Sequence, residues 1–465
     1  MKQIKFLGAA GMVTGSSYWL EDHDSHGILI DLGMFQGMEE QRRLNNEGLA
    51  FDVKNLEAMI LTHAHLDHCG RMPSLVGAGF TGPIFMTEAT RQLLELSLYD
   101  AAKVAKENDE RRQTHEALYT EEEVEKLLTH CRIVAYDRPF TVGSFEITMR
   151  DAGHILGSAS IEIKLKTSAR GGQAKTQKLK RIIFSGDLGN TPQDLIRPTE
   201  MIKEAEVVVM ESTYGDRTHS NEDPLKVIQG EINAIEESGG TLLIPAFSLE
   251  RTQEILHRID HLKKSKKIKD ETPVFLDSPM AIKATMIFKH FADLYNRELA
   301  DHAKLDDPFD FPGLVLVEKG GESAKIKDID RPKVIIAGSG MMSGGRIMRH
   351  AIDFLPLSTT RLLQVGFQAQ GTVGRQIQDG AKKVKIYDQE VEIKATIREV
   401  TSMSAHADQP RLMNWLSKIK GVTKIFLTHG EELPRLVLAE KIRNDLGVTD
   451  VVLPEMNQAV ELGVE

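Results

Sequence analysis

Along the first part of the chain, apolar positions fall in short runs, each closed by Gly, Asp or His, the pattern of strands joined by tight turns. It predicts strands over Gln3–Leu7, Ser17–Leu20, Gly27–Asp31 and Ala58–Thr62, then over Arg132–Tyr136, Phe145–Asp151, Ser160–Leu165, Lys180–Ser185 and Glu206–Met210. Helical spacing predicts helices over Glu88–Lys106 and Glu121–Leu128. The segment Thr167–Gln177, rich in Gly, Ser, Thr and basic residues, is expected to be a solvated hairpin tip.

From about residue 212 the rhythm changes to buried strands alternating with helices: Leu225–Glu237, Thr241–Pro245, Glu250–His261, Pro273–Asp277, Ala281–Leu294, Lys333–Ala337 and Arg361–Val365. That alternation predicts a parallel sheet with crossover helices. A long alternating strand, Val391–Val400, is expected next, followed by helix Gln409–Lys418, strand Lys424–Thr428 and helix Leu433–Asn444. No repeat of 20 to 50 residues is visible.

Composition adds exclusions. The 465 residues are 41% hydrophobic and 27% charged, with 37 Gly and 16 Pro, which rules out a disordered or collagen-like polymer. Lys and Arg total 58 against 68 Asp and Glu, a net charge of −10, so any nucleic-acid site must be a local patch. Two cysteines, Cys69 and Cys131, without a CxxC pair, point to a reducing, cytoplasmic setting and away from a disulfide framework. No apolar run approaches the roughly 20 residues of a membrane span. Phe6 to Val13 is broken by Gly8 and Gly11 and reads as a strand and turn, not a leader.

The sharpest chemical feature is Thr62-His63-Ala64-His65-Leu66-Asp67-His68, directly after an apolar strand. Three imidazoles and a carboxylate on one loop can aim several N and O donors at one locus, which suits a borderline cation such as Zn²⁺. One loop cannot complete two coordination shells, so further ligands should stand at other strand ends. His154, Asp187 and His429 each follow an apolar strand with glycine beside them.

This set, with Asp31 in Leu29-Ile30-Asp31-Leu32-Gly33, resembles the metallo-β-lactamase fold. Glu211 in Met210-Glu211-Ser212-Thr213 and His406 in Ser404-Ala405-His406-Ala407-Asp408 narrow the resemblance to the β-CASP nucleases, the group of the cleavage and polyadenylation nuclease, RNase J and the Artemis-type DNA enzymes. The resemblance implies an α/β architecture: an αββα sandwich in two parts, residues 1–211 and 393–465, around an inserted β-CASP domain, 212–392. It implies two zinc ions, one held by His63, His65 and His154, the other by Asp67, His68 and His429, with Asp187 bridging and Asp31 orienting the loop behind them. It further implies catalytic roles for Asp67 and Asp187, and His406 as a general acid steadied by Glu211. A histidine at position 429 goes with the RNA-processing branch, so single-stranded RNA is the expected partner, and cutting is expected to be endonucleolytic. A 5′-to-3′ exoribonuclease, a DNA nuclease and a non-catalytic RNA-binding subunit are the alternatives; a homodimer is left open. The chain is expected to depart from several relatives of that group in lacking an extra N-terminal RNA-binding domain and the C-terminal domain of RNase J.

Two glycine-rich turns follow strands of the inserted region, Gly338-Ser339-Gly340-Met341-Met342-Ser343-Gly344-Gly345-Arg346 and Gly371-Thr372-Val373-Gly374-Arg375. Such turns let backbone N–H groups approach a phosphate, and both resemble β-CASP motifs. Ser339, Gly340, Met341, Arg346, Gly371, Arg375 and Ser404 are therefore the expected RNA contacts, Ser404 serving a terminal phosphate. The basic run Lys263–Lys269 is expected to be a solvated helix end. The remaining histidines, among them His23, His26, His115, His130, His219 and His350, are expected to be surface or core residues, and Cys69 a buried small one.

Overall fold

The computed structural model describes residues 3–22, 26–112, 117–165, 181–191, 195–330 and 332–462. The hairpin tip expected at Thr167–Gln177 lies outside them, as do His23 and His115.

Alternating apolar positions build two seven-stranded sheets that face one another. Ile4, Phe6, Leu20, Ile28 and Ile30 of one meet Phe145, Ile147, Ile161, Ile163, Phe184, Val209 and Phe426 of the other in a single apolar layer. Each such side chain, fully buried, contributes about 1.5–3 kcal/mol. The outer face of the first sheet packs against Leu93, Leu94 and Leu98 of helix Glu88–Arg112. The outer face of the second packs against Leu412, Trp415 and Leu416 of helix Gln409–Ser417 and Leu438 and Ile442 of helix Glu432–Leu446. The result is the αββα sandwich.

The end of the chain belongs to both sheets. Lys424–Thr428 pairs in parallel with Val207–Glu211, and Ala459–Glu461 pairs antiparallel with Gln3–Lys5. Between these lies an all-parallel six-stranded sheet whose central strands, Thr241–Pro245, Val274–Asp277 and Lys333–Ala337, are buried throughout. Its helices start and stop where the side chains demand. Asp223 accepts from the Leu225 N–H at the head of helix Pro224–Ser238, and Gly239 ends it in the left-handed conformation.

One expectation needs correction and a second an exception. The strand Val391–Val400 is two strands, Gln389–Glu392 and Thr396–Glu399, because the amides of Lys394 and Ala395 both turn to the Leu355 carbonyl, at 2.9 and 3.0 Å. The second of them pairs with Thr360–Gln364, so the inserted sheet reaches past residue 392. The basic run closes its helix in solvent as expected, with Lys264, Ser265, Lys266, Lys267 and Lys269 exposed, except that Lys263 is 1% exposed and its Nζ donates to the carbonyls of Lys269, Asp270 and Thr272 at 2.6, 3.0 and 2.8 Å.

Candidate metal centre

The site forms where strands of the two sheets end. Strand Leu56–Ile60 delivers His63 and His65 and then the short helix Leu66–Cys69 with Asp67 and His68. Strands Phe145–Asp151, Arg181–Phe184 and Lys424–Thr428 deliver His154, Asp187 and His429. The turn before Asp187 needs Gly186: its φ is +56°, and a Cβ there would sit 2.8 Å from the Ala159 carbonyl oxygen. Asp31 and His429 hold left-handed backbone without being glycine, φ 58° and 48°. Such strain persists only where surrounding contacts impose it.

All seven expected ligands come together, in two groups. In the first, His63 Nε2 and His154 Nε2 lie 3.1 and 3.2 Å from His65 Nδ1. In the second, His429 Nε2 lies 3.2 Å from His68 Nε2 and 3.4 Å from Asp67 Oδ2. Asp187 stands between them. Its Oδ2 is 3.5 Å from both His63 Nε2 and His154 Nε2, while its Oδ1 is 3.2 Å from His68 Nε2 and 3.6 Å from His429 Nε2. Among the described residues no hydrogen bond reaches that buried Oδ1, although two ring nitrogens point at it. Ring nitrogens that face one another and an unsatisfied carboxylate oxygen are what a cation between them would resolve, so the donor set fits two metal ions.

Apart from His65, whose buried Nε2 has no hydrogen-bond partner among the described residues, the other ring nitrogens are anchored, which fixes how those imidazoles point. His68 Nδ1 meets Asp31 Oδ2 at 2.7 Å, and Asp31 in turn accepts from the Thr62 amide and hydroxyl, both at 2.8 Å. His429 Nδ1 lies 3.0 Å from the Thr213 hydroxyl, and His154 Nδ1 lies 3.3 Å from the Ala405 carbonyl. Burial pushes His63 and His154 well below the usual imidazole range and His65 down to about 4, leaving neutral rings. Burial opposes ionisation of Asp187 as well, but His429, His68, His406 and His63 hold its carboxyl well below the usual range.

His406 stands beside this centre with its Nδ1 3.2 Å from Glu211 Oε2 and 3.9 Å from Asp187 Oδ2. Glu211 is fixed by the Leu188 amide, which donates to its Oε1 at 2.6 Å. Burial would lower His406, but the charges of Glu211 and Asp187 outweigh it and push it up to about 9. The helix that follows is capped by Asp408, not by His406. His219 is a buried partner of this loop, its Nε2 3.0 Å from the His406 carbonyl. Cys69 is fully buried, its thiol against the Ala64 carbonyl at 3.5 Å.

The two glycine-rich turns of the inserted sheet touch each other, the Gly374 amide donating to the Met341 carbonyl at 3.2 Å. A Cβ at Gly340 would fall 2.6 Å from the ring of Phe247, and that ring lies 6.2 Å from His65, so the turns border the centre. Arg346, however, is spent on the loop itself: its guanidinium donates to Asp277 Oδ1 at 2.6 Å and to the carbonyls of Val317 and Glu318 at 2.9 and 2.5 Å. Ser404 Oγ accepts from the His406 amide at 3.3 Å. Arg375 pairs with Asp379 at 3.0 Å and lies 3.9 Å from Glu431.

The sequence assigns no role to Thr62 or Thr213 and only a surface or core position to His219, which is buried; the partners of all three come from distant segments. Sequence reading also passed over His257 and His261, whose spacing of four was visible, and which with His302 form a second cluster able to hold a metal ion. No helix among the described residues is long and apolar enough to cross a membrane.

Comparison with known proteins agrees with this geometry. The metallo-β-lactamase superfamily profile matches residues 10–225, the Beta-Casp domain 252–377, and the Zn-dependent metallo-hydrolase RNA specificity domain 390–454. The chain is 35% identical over 452 residues to ribonuclease TTHA0252 of Thermus thermophilus, covering 95% of both chains. It is 28% identical over 454 residues to the transcription termination factor FttA of Methanocaldococcus jannaschii, covering 95% of this chain and 69% of that one. A solved structure of a protein of unknown function from Enterococcus faecalis V583 shares the fold, with a TM-score of 0.53 at 12% identity over 99% of this chain and 100% of the other. The sandwich, the inserted sheet and the paired ligand groups thus belong together: the chain is a β-CASP member of the metallo-β-lactamase superfamily of metal-dependent hydrolases.

Proposed function

We propose that this protein is a cytoplasmic, zinc-dependent ribonuclease that hydrolyses internal phosphodiester bonds of single-stranded RNA. The observation that carries the reading is Asp187, whose two carboxylate oxygens each face one of two imidazole-rich groups. The similarity to a ribonuclease over nearly the whole chain and the match to an RNA specificity domain support RNA as the substrate.

His63, His65 and His154 would hold one zinc ion and Asp67, His68 and His429 the other, with Asp187 between them. When bound, the two ions supply Lewis-acid charge to the phosphate and acidify water. The chain's own residues do the rest. Asp31, Thr62 and Thr213 keep the imidazoles pointed inward. Hydrolysis adds a hydroxyl to phosphorus and a proton to the departing oxygen. His406, held through Nδ1 by Glu211, keeps Nε2 to deliver that proton. The turns carrying Ser339, Gly340, Met341, Gly371 and Arg375 line the approach, and their backbone N–H groups hold the strand. Arg346 braces the first turn from behind, and Ser404 shapes the His406 loop.

Incubation of the zinc-replete protein with circular RNA and with RNAs labelled at either end tests the reading. Opening of the circle and internal fragments from both labelled substrates are expected. Cutting only from a free 5′ end would make it an exonuclease, preference for DNA would move it to the DNA branch, and binding without cutting would overturn the enzymatic reading.

A further inference from the structure

Away from the ligands just described, helix Arg251–Lys264 carries His257 and His261 one turn apart, and helix Arg297–Ala303 brings His302 against them. The three rings surround one point, with centroids 4.4, 5.3 and 5.3 Å apart. One nitrogen of each lies within 4.8 Å of the others, and His257 Nε2 and His261 Nε2 are 3.1 Å apart. Nitrogens bound to one tetrahedral zinc at ~2.0–2.1 Å sit about 3.3 Å from each other. His257 is 3% exposed and the His302 side chain 12%, so water competes weakly there.

The surroundings are those of a metal site. His302 Nε2 meets Asp306 Oδ1 at 2.7 Å and Asp260 Oδ2 at 3.4 Å, the carboxylate backing that orients a ligating imidazole. His302 Nδ1 and Asp260 Oδ1 are buried and have no hydrogen-bond partner among the described residues. Lys264 Nζ also lies 2.9 Å from His302 Nε2, but Asp260 and Asp306 bracket it at 2.9 and 2.7 Å, leaving one net negative charge beside the rings. Three imidazoles packed this closely without an ion leave ring nitrogens facing each other; an ion gives each lone pair a partner.

We propose that His257, His261 and His302 bind a borderline divalent cation, Zn²⁺ or a similar ion, which staples helix Arg251–Lys264 to helix Arg297–Ala303 inside the inserted β-CASP unit. Beside the rings the cross-link from Lys264 to Asp306 is half-exposed, a weak staple, although Ile259, Leu262 and Leu299 share the apolar core nearby. This site does not depend on the ribonuclease reading.

The full chain, stripped with a chelator and titrated with zinc chloride alone, tests it by elemental analysis after gel filtration. Wild type should retain one more zinc per chain than His261→Gln or His302→Gln, and Asp187→Asn should keep that extra ion. Zinc should also raise the melting temperature of Asp187→Asn but not of Asp187→Asn combined with His261→Gln. His261 and His302 are only partly buried, so both single variants should fold; the buried His257→Gln serves as a third comparison. Equal zinc content in wild type and variants, or uptake only at millimolar zinc, would overturn the proposal.

Discussion

Asp187 is the residue on which both ligand groups converge, one carboxylate oxygen toward each. Replacing it with Asn removes the charge that offsets two cations, so Asp187→Asn should lose metal from both catalytic positions and fall to background activity. The exposed His290→Ala should behave as wild type; if the two variants retained equal activity, Asp187 would not bridge. His406 presents the opposite case, because its nearest carboxylate partner is Glu211, outside the two ligand groups. His406→Ala should keep its metal and its RNA affinity but lose roughly 10²–10⁴-fold in the chemical step, the usual range for general acid catalysis. A nitrophenyl phosphodiester should be spared much of that loss, since its departing anion needs no proton. If that substrate suffers as much as RNA, or metal is lost, His406 is part of the metal scaffold.

At the scale of elements, the metal loop is seated by backbone contacts with the turn that follows strand Gly27–Ile30. The amides of Leu32 and Met34 donate to the carbonyls of His68 and Leu66, both at 2.8 Å, and Ser16 donates to Asp67 at 2.8 Å. Gly33 lies so close that a Cβ would fall 1.6 Å from the Asp67 carbonyl oxygen, a clash with backbone that no rotamer relieves. Gly33→Ala should therefore lower both metal content and melting temperature, whereas Gly48→Ala, with nothing within 4 Å, should leave both unchanged. Inductively coupled plasma analysis and a thermal melt decide it. The same contacts explain what was legible in the sequence. Strands with continuous apolar runs, such as Thr241–Pro245 and Lys424–Thr428, fall where their pattern places them, and histidines grouped on one loop declare themselves. Thr62, Thr213 and His219 do not, because their roles come from partners 31 to 216 positions away. The break between Gln389–Glu392 and Thr396–Glu399 is likewise set by Leu355, a neighbour in space rather than in sequence.

At the scale of the molecule, the inserted unit is joined to the sandwich close to the metal centre. Tyr295 bridges to Ile196, and the Asn296 amide donates to the Leu195 carbonyl at 2.8 Å. Deeper in the joint, the Leu156 amide, two residues beyond His154, donates to Glu250 Oε2 at 3.1 Å. Glu250 is 1% exposed, and its Oε1 has no hydrogen-bond partner among the described residues. Burial pushes its carboxyl up to about 8; Arg251 and the Leu156 amide pull the other way, and Asp151 adds to the rise. A carboxyl raised in the folded state binds a proton that the unfolded chain has already released. Its contribution to stability is therefore whole below the unfolded value, near 4.5, and is lost as pH climbs through about 8. The protein should lose on the order of a few kcal/mol across that window from this group alone. Glu250→Gln, which keeps the acceptor for Leu156 and cannot ionise, should match wild type near pH 5 and melt at a higher temperature near pH 8.5. Because Asp151 titrates in both proteins, the difference between their melting curves isolates Glu250. Curves that stay parallel from pH 5 to 8.5 would show that the joint holds Glu250 ionised throughout, with Arg251 as its counter-charge.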